Sequence, residues 1–502
     1  MPRPRPAIAL LIFVLAAFAP HAPAGLPETV ERLIREADLG PAVAAVSILE
    51  TGRRSPLVEI RADEPMIPAS NMKLLTAGAA LDVLGPDFRF RTRLLRAGDR
   101  LIVAGDGDPA FGDPVLLADM TTERGTEMDV EMFLDLWVRP VVDLGLPAFG
   151  ELIVDDRVFD REYVHPTWPR DQLNRRYSAQ VSGLAFHLNI LHFYPQPRPG
   201  QRPSLSIFEP KANWLDVKNR ATSRTGPRDQ NDVWAARVLG TNNITLYGNV
   251  KHAYTRANPA PVTVHDMPMF FARLLAGRLR AAGVEIETAR TSRPDDAWED
   301  AEPLGPVIYT PIDTILQRCN RDSQNLYAGC LLKRMGHAAT GQPGTWVSGA
   351  SIIRHVVFQR LSDASMTATL HIADGSGLSR DNRATTRLLA AWLDSFHRDP
   401  RRGPILLESL PLGGETGTLK RRSGLDAENL DGAVVRAKSG YISGVSCLSG
   451  YVTHPDGGCR CFSIMVNDIK GSVRSAKRMQ EAIIAAIVED MAAVPVQLTQ
   501  EP

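Results

Sequence analysis

The sequence predicts an α+β protein in which an antiparallel sheet, covered by helices, is split by a long insertion. Strand-like alternation occurs early in the chain, at Ala42–Glu50, and again near its end, at 433–452 and 459–466. The turn 454–458, with the sequence HPDGG, joins the last two stretches as an antiparallel hairpin. Helical periodicity returns at Arg474–Met491. The two ends of the chain are therefore expected to build one sheet.

A serine and a lysine three residues apart mark the start of the first long helix after that strand. Ser70 follows Pro68-Ala69, and the segment 71–84 carries apolar residues at helical spacing until Gly85-Pro86 ends the helix. Residues at i and i+3 share one face of a helix, so Lys73 is expected beside the Ser70 hydroxyl. A neutral lysine can take the proton of such a serine if its surroundings lower its pKa from ~10.4 towards ~7 to 8. The alternative is a serine that only caps the helix and a lysine that faces solvent.

A Ser-x-Asn motif lies in a turn that is predicted between two helices. Apolar runs at Val307–Leu316 and Leu326–Leu332 flank it, so Ser323 and Asn325 can point into one cleft. The Ser323 hydroxyl could relay a proton to a leaving group, while the Asn325 amide could hold a peptide and the lysine of the first motif. A turn that merely caps the following helix would show the same pattern.

The third motif, Lys438-Ser439-Gly440, lies in the strand-like stretch near the C-terminus. Lys438 and Ser439 offer a cation and a hydroxyl to a free carboxylate, and Lys438 is also a second cation that could lower the pKa of the first-motif lysine. Gly440 would let a ligand backbone approach the strand closely. The backbone N–H groups of Ser70 and Tyr441 could stabilise a developing oxyanion. The three motifs in this order predict a site for serine acyl transfer.

An insertion of domain size separates the first motif from the second, because Ser323 lies 250 residues after Lys73. The sequence predicts three parts: a split catalytic domain at 25–88 and 264–490, an inserted β-rich domain at 89–110 and 180–263, and a smaller nested domain at 111–179. The elements expected in and after the insertion are strands around 89–104, a helix near Val130–Leu144, a strand at Glu151–Asp155, a strand-rich stretch from Leu184 to Lys251, and a helix, Met267–Ala282. This last helix is expected to return the chain to the catalytic domain.

Together, the three motifs resemble the signature S-x-x-K, S-x-N and K-[ST]-G of the penicillin-binding proteins and serine beta-lactamases. Their long separation is similar to that of the D-alanyl-D-alanine carboxypeptidase/endopeptidase family, the low-molecular-mass class C penicillin-binding proteins. Five further segments resemble the same family: 105–113, 150–160, 325–333, 374–380 and 417–422. The resemblance covers nearly the whole mature chain and implies a beta-lactamase/transpeptidase-like catalytic fold.

The resemblance implies a role for each motif residue: Ser70 as the acylated nucleophile, Lys73 as its base, Ser323 and Asn325 as the second motif, and Lys438 with Ser439 as the carboxylate site. Ser439 stands where the family more often has threonine. Serine keeps the hydroxyl and lacks only a methyl group, so the difference favours an altered substrate preference. In the family, an aromatic and an acidic residue of the insertion help to recognise the amino end of the diamino-acid side chain. Trp168 and Asp171 lie in about the right place for this. The alternative for both is a surface loop with a packed tryptophan.

The function that the resemblance implies is a serine D-Ala-D-Ala carboxypeptidase, a D,D-endopeptidase, or both. Such an enzyme acts on peptidoglycan stem peptides through an acyl-enzyme, which beta-lactam antibiotics also form. Two alternatives stay open: a catalytically weak, penicillin-binding protein associated with the wall, and a beta-lactamase or esterase. The long separation of the first two motifs disfavours the second alternative.

The N-terminus predicts export. Arg3 and Arg5 precede the apolar run Ala7–Phe18, and Ala22-Pro23-Ala24 provides a small-residue cleavage site, so 1–24 is expected to be a signal peptide. The apolar run is too short to span a membrane, and no later stretch is long and apolar enough to be an integral span. We therefore expect a periplasmic enzyme.

Composition excludes several other classes of function. The chain has 57 basic and 57 acidic residues, a balance that does not favour nucleic acid or an anionic membrane as a partner. No H-E-x-x-H, C-x-x-C or Gly-rich phosphate motif occurs, so no metal or cofactor is expected.

Export permits disulfides, and a bridge between Cys319 and Cys330 would brace the Ser323 turn. Cys459 and Cys461 should point the same way on one strand, which makes a bond between them unfavourable.

Overall fold

The computed structural model describes residues 25–53, 55–121, 125–205 and 208–493. The predicted signal peptide, 1–24, lies outside these residues. Within the described ranges, no helix has the length and apolar composition that a membrane crossing requires.

The helices are distributed along the whole described chain. They are α1 (Leu26–Glu36), α2 (Met72–Val83), α3 (Pro114–Ala118), α4 (Val130–Val142), α5 (Met267–Ala281), α6 (Ile312–Arg321), α7 (Asn325–Thr340), α8 (Trp346–Leu361), α9 (Ala364–Ala368), α10 (Thr386–His397), α11 (Gly403–Ser409) and α12 (Arg474–Ala493). Helix α2 is buried on almost every side, as its nearly uninterrupted apolar sequence requires. Gly85, with φ of 90°, follows its C-terminal end, as predicted.

The strands fall into two groups, at the two ends of the chain and in its middle. They are β1 (Val43–Glu50), β2 (Pro56–Ile60), β3 (Arg89–Ala97), β4 (Arg100–Ala104), β5 (Ala148–Asp155), β6 (Ile190–Phe193), β7 (Phe208–Glu209), β8 (Val217–Asn219), β9 (Trp234–Arg237), β10 (Ile244–Tyr247), β11 (Ala260–Thr263), β12 (Glu285–Thr291), β13 (Glu302–Pro303), β14 (Ile308–Pro311), β15 (Val434–Ile442), β16 (Val445–Thr453) and β17 (Cys459–Asn467). The predicted strand-like stretch 433–452 is divided into β15 and β16 by a turn at Ser443-Gly444, which the sequence analysis did not separate.

The first and last strands build one antiparallel sheet in the order β15-β16-β17-β1-β2. Strand β1 pairs along its full length with β17, from Val43 opposite Asn467 to Glu50 opposite Arg460. Successive side chains of a strand point to opposite faces, so Ala44 packs with α1 and α12 while Ala45 packs with the helices around α2. The predicted α+β class with a split, helix-covered sheet is confirmed.

The insertion has its own core and its own sheet. Strands β12, β5, β4, β3 and β13 are neighbours in that order, and β14 also pairs with β3. Helices α4 and α5 cover this sheet and share one apolar cluster with it. Two further three-stranded sheets, β11-β6-β7 and β8-β10-β9, complete the insertion.

One predicted domain border and one predicted domain are wrong. Helix α5 was expected to return the chain to the catalytic domain at 264, but it packs in the core of the insertion, and β12 pairs with β5. The chain reaches the catalytic helices only at Ile312, where α6 begins. The segment 111–179 is not a separate nested domain either, because β5 runs beside β4 in the same sheet.

A buried ion cluster joins the insertion to the catalytic body. The carboxylate of Asp113, at the N-terminus of α3, accepts hydrogen bonds from the Arg318 guanidinium at 2.8 Å and from the Tyr327 hydroxyl at 2.5 Å. Asp113 and Tyr327 are fully buried, and Arg318 is nearly so. Since α6 and α7 carry the second motif between them, this cluster fixes the insertion beside that motif.

Candidate active site

Ser70 lies in a short 3-10 turn, Ala69–Asn71, that leads directly into α2. The turn is fastened to the central sheet, because the buried Asn71 side chain donates to the Ser449 hydroxyl on β16 at 2.6 Å. Ala69, immediately before the serine, has φ of 44°, in the left-handed region that most residues avoid. The serine hydroxyl is thus presented by a backbone conformation that the surrounding contacts impose.

Lys73, the second residue of α2, is fully buried. Its Nζ atom lies 3.3 Å from the Ser70 Oγ, 2.6 Å from the Asn325 Oδ1 and 2.7 Å from the carbonyl oxygen of Ser376. Burial lowers the pKa of Lys73 to about 8, although Cys319 and Asp374 act in the opposite direction. Lys73 therefore lies close to the serine hydroxyl, and its lowered pKa favours the neutral form that a base requires.

Ser323 lies in the turn between α6 and α7, as predicted, and Asn325 is the first residue of α7. Ser323 has φ of 57°, which turns the chain sharply between the two helices. The Asn325 amide bridges two parts of the protein, since its oxygen accepts from Lys73 and its Nδ2 donates to the Tyr177 carbonyl at 2.8 Å. Tyr177 belongs to the insertion, so the insertion contributes directly to the position of this motif.

Lys438 lies on β15, facing the second motif. Its Nζ donates to the Ser323 hydroxyl at 3.0 Å and to the Ser439 carbonyl at 2.9 Å. Burial, and then the neighbouring Lys73, lower the pKa of Lys438 well below its ordinary value. The Ser439 hydroxyl donates to that of Thr418 at 2.8 Å, and Thr418 is exposed. Two hydroxyls and a buried amine thus stand at the edge strand, where a ligand carboxylate could bind.

Gly440 and Tyr441 complete the third motif. A side chain at Gly440 would meet the Pro68 carbonyl, since an added Cβ would lie 2.8 Å from its oxygen. The glycine therefore permits close approach of the serine-bearing turn to β15, whereas the sequence analysis had assigned the space to a ligand backbone. The Tyr441 side chain is 61% exposed at the end of the strand.

Trp168 and Asp171 lie in very different surroundings. Trp168 is only 3% exposed, packs edge-on against Trp346, and donates its indole N–H to the Asp374 carboxylate at 2.6 Å. The indole is thus packed, as in the alternative prediction for this residue. Asp171 is exposed in the 3-10 turn Arg170–Gln172.

Several residues of the site carried no usable signal in the sequence. The carbonyl oxygens of Ser376 and Tyr177 act through the backbone, which any residue type supplies. Asp374 and Thr418 lie in two segments, 374–380 and 417–422, that resemble the class C family, but no role was assigned to them. Their position in those segments is the one signal that could have singled them out.

The predicted bridge between Cys319 and Cys330 is wrong. Both thiols are free and buried, as are the other three cysteines of the chain. Cys319 faces the two site lysines, Lys73 and Lys438, whereas Cys330 faces Asp108 and Lys333. The two thiols therefore lie in different surroundings, and no bond joins them.

The structure brings together a serine beside a buried lysine, a Ser-x-Asn motif and a lysine-bearing edge strand. This arrangement is typical of serine hydrolases that work through an acyl-enzyme. Sequence comparison places the chain within this class. The chain belongs to the D-Ala-D-Ala carboxypeptidase 3 (S13) family, whose profile matches residues 26–488. It is a serine-type carboxypeptidase of the peptidoglycan hydrolase kind, as predicted.

Relatives support this assignment over nearly the whole length of the chain. The D-alanyl-D-alanine carboxypeptidase of Actinomadura sp. (strain R39) is 31% identical over 492 residues, which cover 92% of this chain and 84% of the relative. A carboxypeptidase of Mycobacterium tuberculosis (strain ATCC 25618 / H37Rv) is 26% identical over 484 residues, which cover 95% of this chain and 87% of the relative.

Solved structures show the same fold. Penicillin-binding protein 4 of Haemophilus influenzae matches with a TM-score of 0.72 at 21% identity, over 92% of this chain and 99% of that chain. A second structure of that protein, in complex with a beta-lactam, matches with a TM-score of 0.66 at 20% identity over the same shares of the two chains.

Proposed function

We propose that this protein removes the terminal D-alanine from peptidoglycan stem peptides, or cleaves the cross-link between two stems, through an acyl-enzyme on Ser70. One observation carries the proposal. The buried Lys73 amine lies 3.3 Å from the Ser70 hydroxyl and is held there by the side chain of Asn325 at 2.6 Å. A nucleophile and its base are thus in place before any substrate binds.

Acylation uses the first two motifs in turn. Lys73, in its neutral form, takes the hydroxyl proton as the Ser70 Oγ attacks the carbonyl carbon of the penultimate D-alanine. As the peptide C–N bond breaks, the leaving amine of the terminal residue must gain a proton. We expect the proton taken up by Lys73 to reach this amine by way of the Ser323 hydroxyl, which accepts a hydrogen bond from Lys438 at 3.0 Å. Water then hydrolyses the ester and restores the free serine.

The third motif supplies binding and charge stabilisation. The hydroxyls of Ser439 and Thr418, 2.8 Å apart, offer donors for the C-terminal carboxylate, with the amine of Lys438 behind them. The backbone N–H groups of Ser70 and Tyr441 are proposed as the oxyanion hole. Neither role requires a metal or a cofactor.

Recognition of the diamino-acid side chain is proposed for Asp171 rather than for the Trp168 ring. The carboxylate of Asp171 is exposed, as an anion that meets a ligand amine must be. The indole of Trp168 is buried and its N–H already has an acceptor. Trp168 is expected to influence the site through the residues that it contacts.

Two further proposals concern inhibitors and location. Beta-lactams are expected to acylate Ser70, as suggested by the beta-lactam complex of the Haemophilus influenzae protein that shares this fold. The charged and apolar pattern of residues 1–24 suggests export to the periplasm.

The deciding experiment combines labelling with product analysis. Fluorescent penicillin should label the wild-type protein and the control Ser443→Ala, which changes an exposed serine in the turn after β15, but should not label Ser70→Ala. D-alanine should be released from a pentapeptide, and a cross-linked stem dimer would report endopeptidase action. Labelling that persists in Ser70→Ala would refute the nucleophile assignment. Rapid drug turnover would indicate a beta-lactamase, and labelling without release of either product would indicate a catalytically weak binding protein.

A further inference from the structure

The carboxylate of Asp374 organises a loop that lies against the base. Asp374 is fully buried, and it accepts hydrogen bonds from six donors. These are the backbone N–H groups of Ser376 (3.2 Å), Gly377 (2.8 Å) and Ser379 (3.1 Å), the Ser376 hydroxyl (3.1 Å), the Asn382 amide (2.9 Å) and the Trp168 indole (2.6 Å). A buried charge with so many partners holds its loop in one conformation.

This loop touches both the proposed base and the turn that carries Ser70. The Ser376 carbonyl accepts from the Lys73 amine at 2.7 Å, and the Gly375 carbonyl accepts from the Thr76 hydroxyl on the same helix at 2.7 Å. Gly377, with φ of 82°, lies so close to the serine turn that a Cβ added there would be 1.8 Å from the Ala69 carbonyl oxygen. A shift of the Asp374 loop would therefore move an acceptor of the lysine.

The contacts of Lys73 explain why that acceptor matters. A neutral amine has two N–H bonds and one lone pair. The Asn325 oxygen at 2.6 Å and the Ser376 oxygen at 2.7 Å can take both hydrogens. The lone pair is then left for the Ser70 hydroxyl, which is the third neighbour at 3.3 Å. With the Ser376 carbonyl displaced, the amine could rotate and aim a hydrogen at the serine instead.

The insertion holds this loop from the opposite side. Besides the indole of Trp168, the hydroxyl of Thr167 contacts that of Ser379 at 2.6 Å. The donor from Trp168 is the shortest contact of the Asp374 carboxylate, and a hydrogen bond between a neutral N–H and a buried carboxylate is among the stronger kinds. The inserted segment is therefore physically connected to the base through one carboxylate.

We propose that Trp168 and Asp374 are positioning residues for acylation, which fix the Ser376 carbonyl so that the lone pair of Lys73 points at Ser70. The inference rests on the proposed function of Ser70 and Lys73. It gives the tryptophan a part in forming the covalent bond and none in contacting the diamino-acid side chain.

The test compares two buried tryptophans. Trp346 is a matched control, because it is 2% exposed, packs against Trp168, and donates its indole N–H to the Glu162 carbonyl at 2.9 Å, outside the Asp374 network. Trp168→Phe and Trp346→Phe should lower the unfolding midpoint by similar amounts. In reaction with penicillin, Trp168→Phe should reduce the acylation rate constant by at least about tenfold while the preceding non-covalent affinity stays unchanged. Trp346→Phe should leave both constants within about twofold of wild type.

Asp374→Asn provides a second variant should Trp168→Phe not fold. It removes a negative charge near Lys73 and puts an amide among donors, so acylation should be slower and the rise of its rate with pH should move to lower pH. Equal acylation constants in the two tryptophan variants would overturn the inference, as would a wild-type rate and pH profile in Asp374→Asn. Failure of the wild-type protein to react, or labelling of Ser70→Ala, would instead refute the proposed function itself.

Discussion

The proton-accepting role proposed for Lys73 predicts a steep pH dependence of acylation. With a pKa of about 8, the neutral fraction of Lys73 is roughly one tenth at pH 7 and falls a further tenfold for each lower pH unit. At an ordinary lysine pKa the fraction at pH 7 would be roughly one in three thousand, so burial makes the base about 300 times more available. This difference corresponds to about 3 kcal/mol.

The rate constant for acylation by fluorescent penicillin, measured between pH 6 and 9.5, should therefore rise tenfold per unit at first and level off above about pH 8. Lys73→Arg keeps the positive charge but cannot lose it, so acylation should fall by roughly 10² to 10⁴ at every pH. The control is Lys333→Arg, which changes another buried lysine. Lys333 lies on α7, and its amine donates to the Asp160 carboxylate at 2.5 Å. A flat profile between pH 6 and 8, or a Lys73→Arg variant that reacts within tenfold of wild type, would refute the role of Lys73 as the base.

Three further predictions concern stability, packing and the thiols. Asp113→Asn breaks the buried cluster with Arg318 and should lower the free energy of unfolding in urea by about 3 to 5 kcal/mol, whereas Asp87→Asn, in an exposed pair with Arg401, should change it by less than about 1 kcal/mol. Equal effects would contradict the interpretation. Gly440→Ala should push the serine turn away from β15, costing about 1 to 3 kcal/mol in the same assay and slowing acylation; an unchanged rate would show that the turn can move without loss. All five thiols are free and buried, and burial raises the pKa of Cys319 to about 11. Iodoacetamide should therefore modify the cysteines only after denaturation and without a reductant, and a need for reductant would reveal a disulfide.

The motifs and their order were sufficient to predict which side chains meet at the centre of the site. Ser70 and Lys73 are one turn apart on a helix, so their contact is local and follows from the spacing. Asn325 and Lys438 come from distant segments, and their meeting was inferred because acyl transfer needs all three motifs in one pocket. In the structure, Asn325 lies within hydrogen-bond distance of Lys73, and Lys438 lies within hydrogen-bond distance of Ser323.

Other features could not be predicted because they depend on tertiary packing. An apolar stripe such as that of α5 can cover either of two sheets, so its pattern did not reveal which core it joins. The carbonyl of Ser376 carries no side-chain signature, and a tryptophan such as Trp168 can equally line a pocket or fill a core. Gly440 was predicted to allow a ligand backbone to approach, and in the structure the backbone at Pro68 lies close to it.

The pairing of β1 with β17 has a consequence for how the protein acquires activity. Strand β1, which precedes Ser70, pairs with β2 on one side, but its other neighbour, β17, lies near the end of the chain, at 459–467. Contacts between residues so far apart in sequence form slowly, because most of the chain must be ordered first. A growing polypeptide that already contains Ser70 therefore lacks a finished pocket until its last strands have been synthesised and have docked. A chain that still lacks these strands is therefore expected to be inactive.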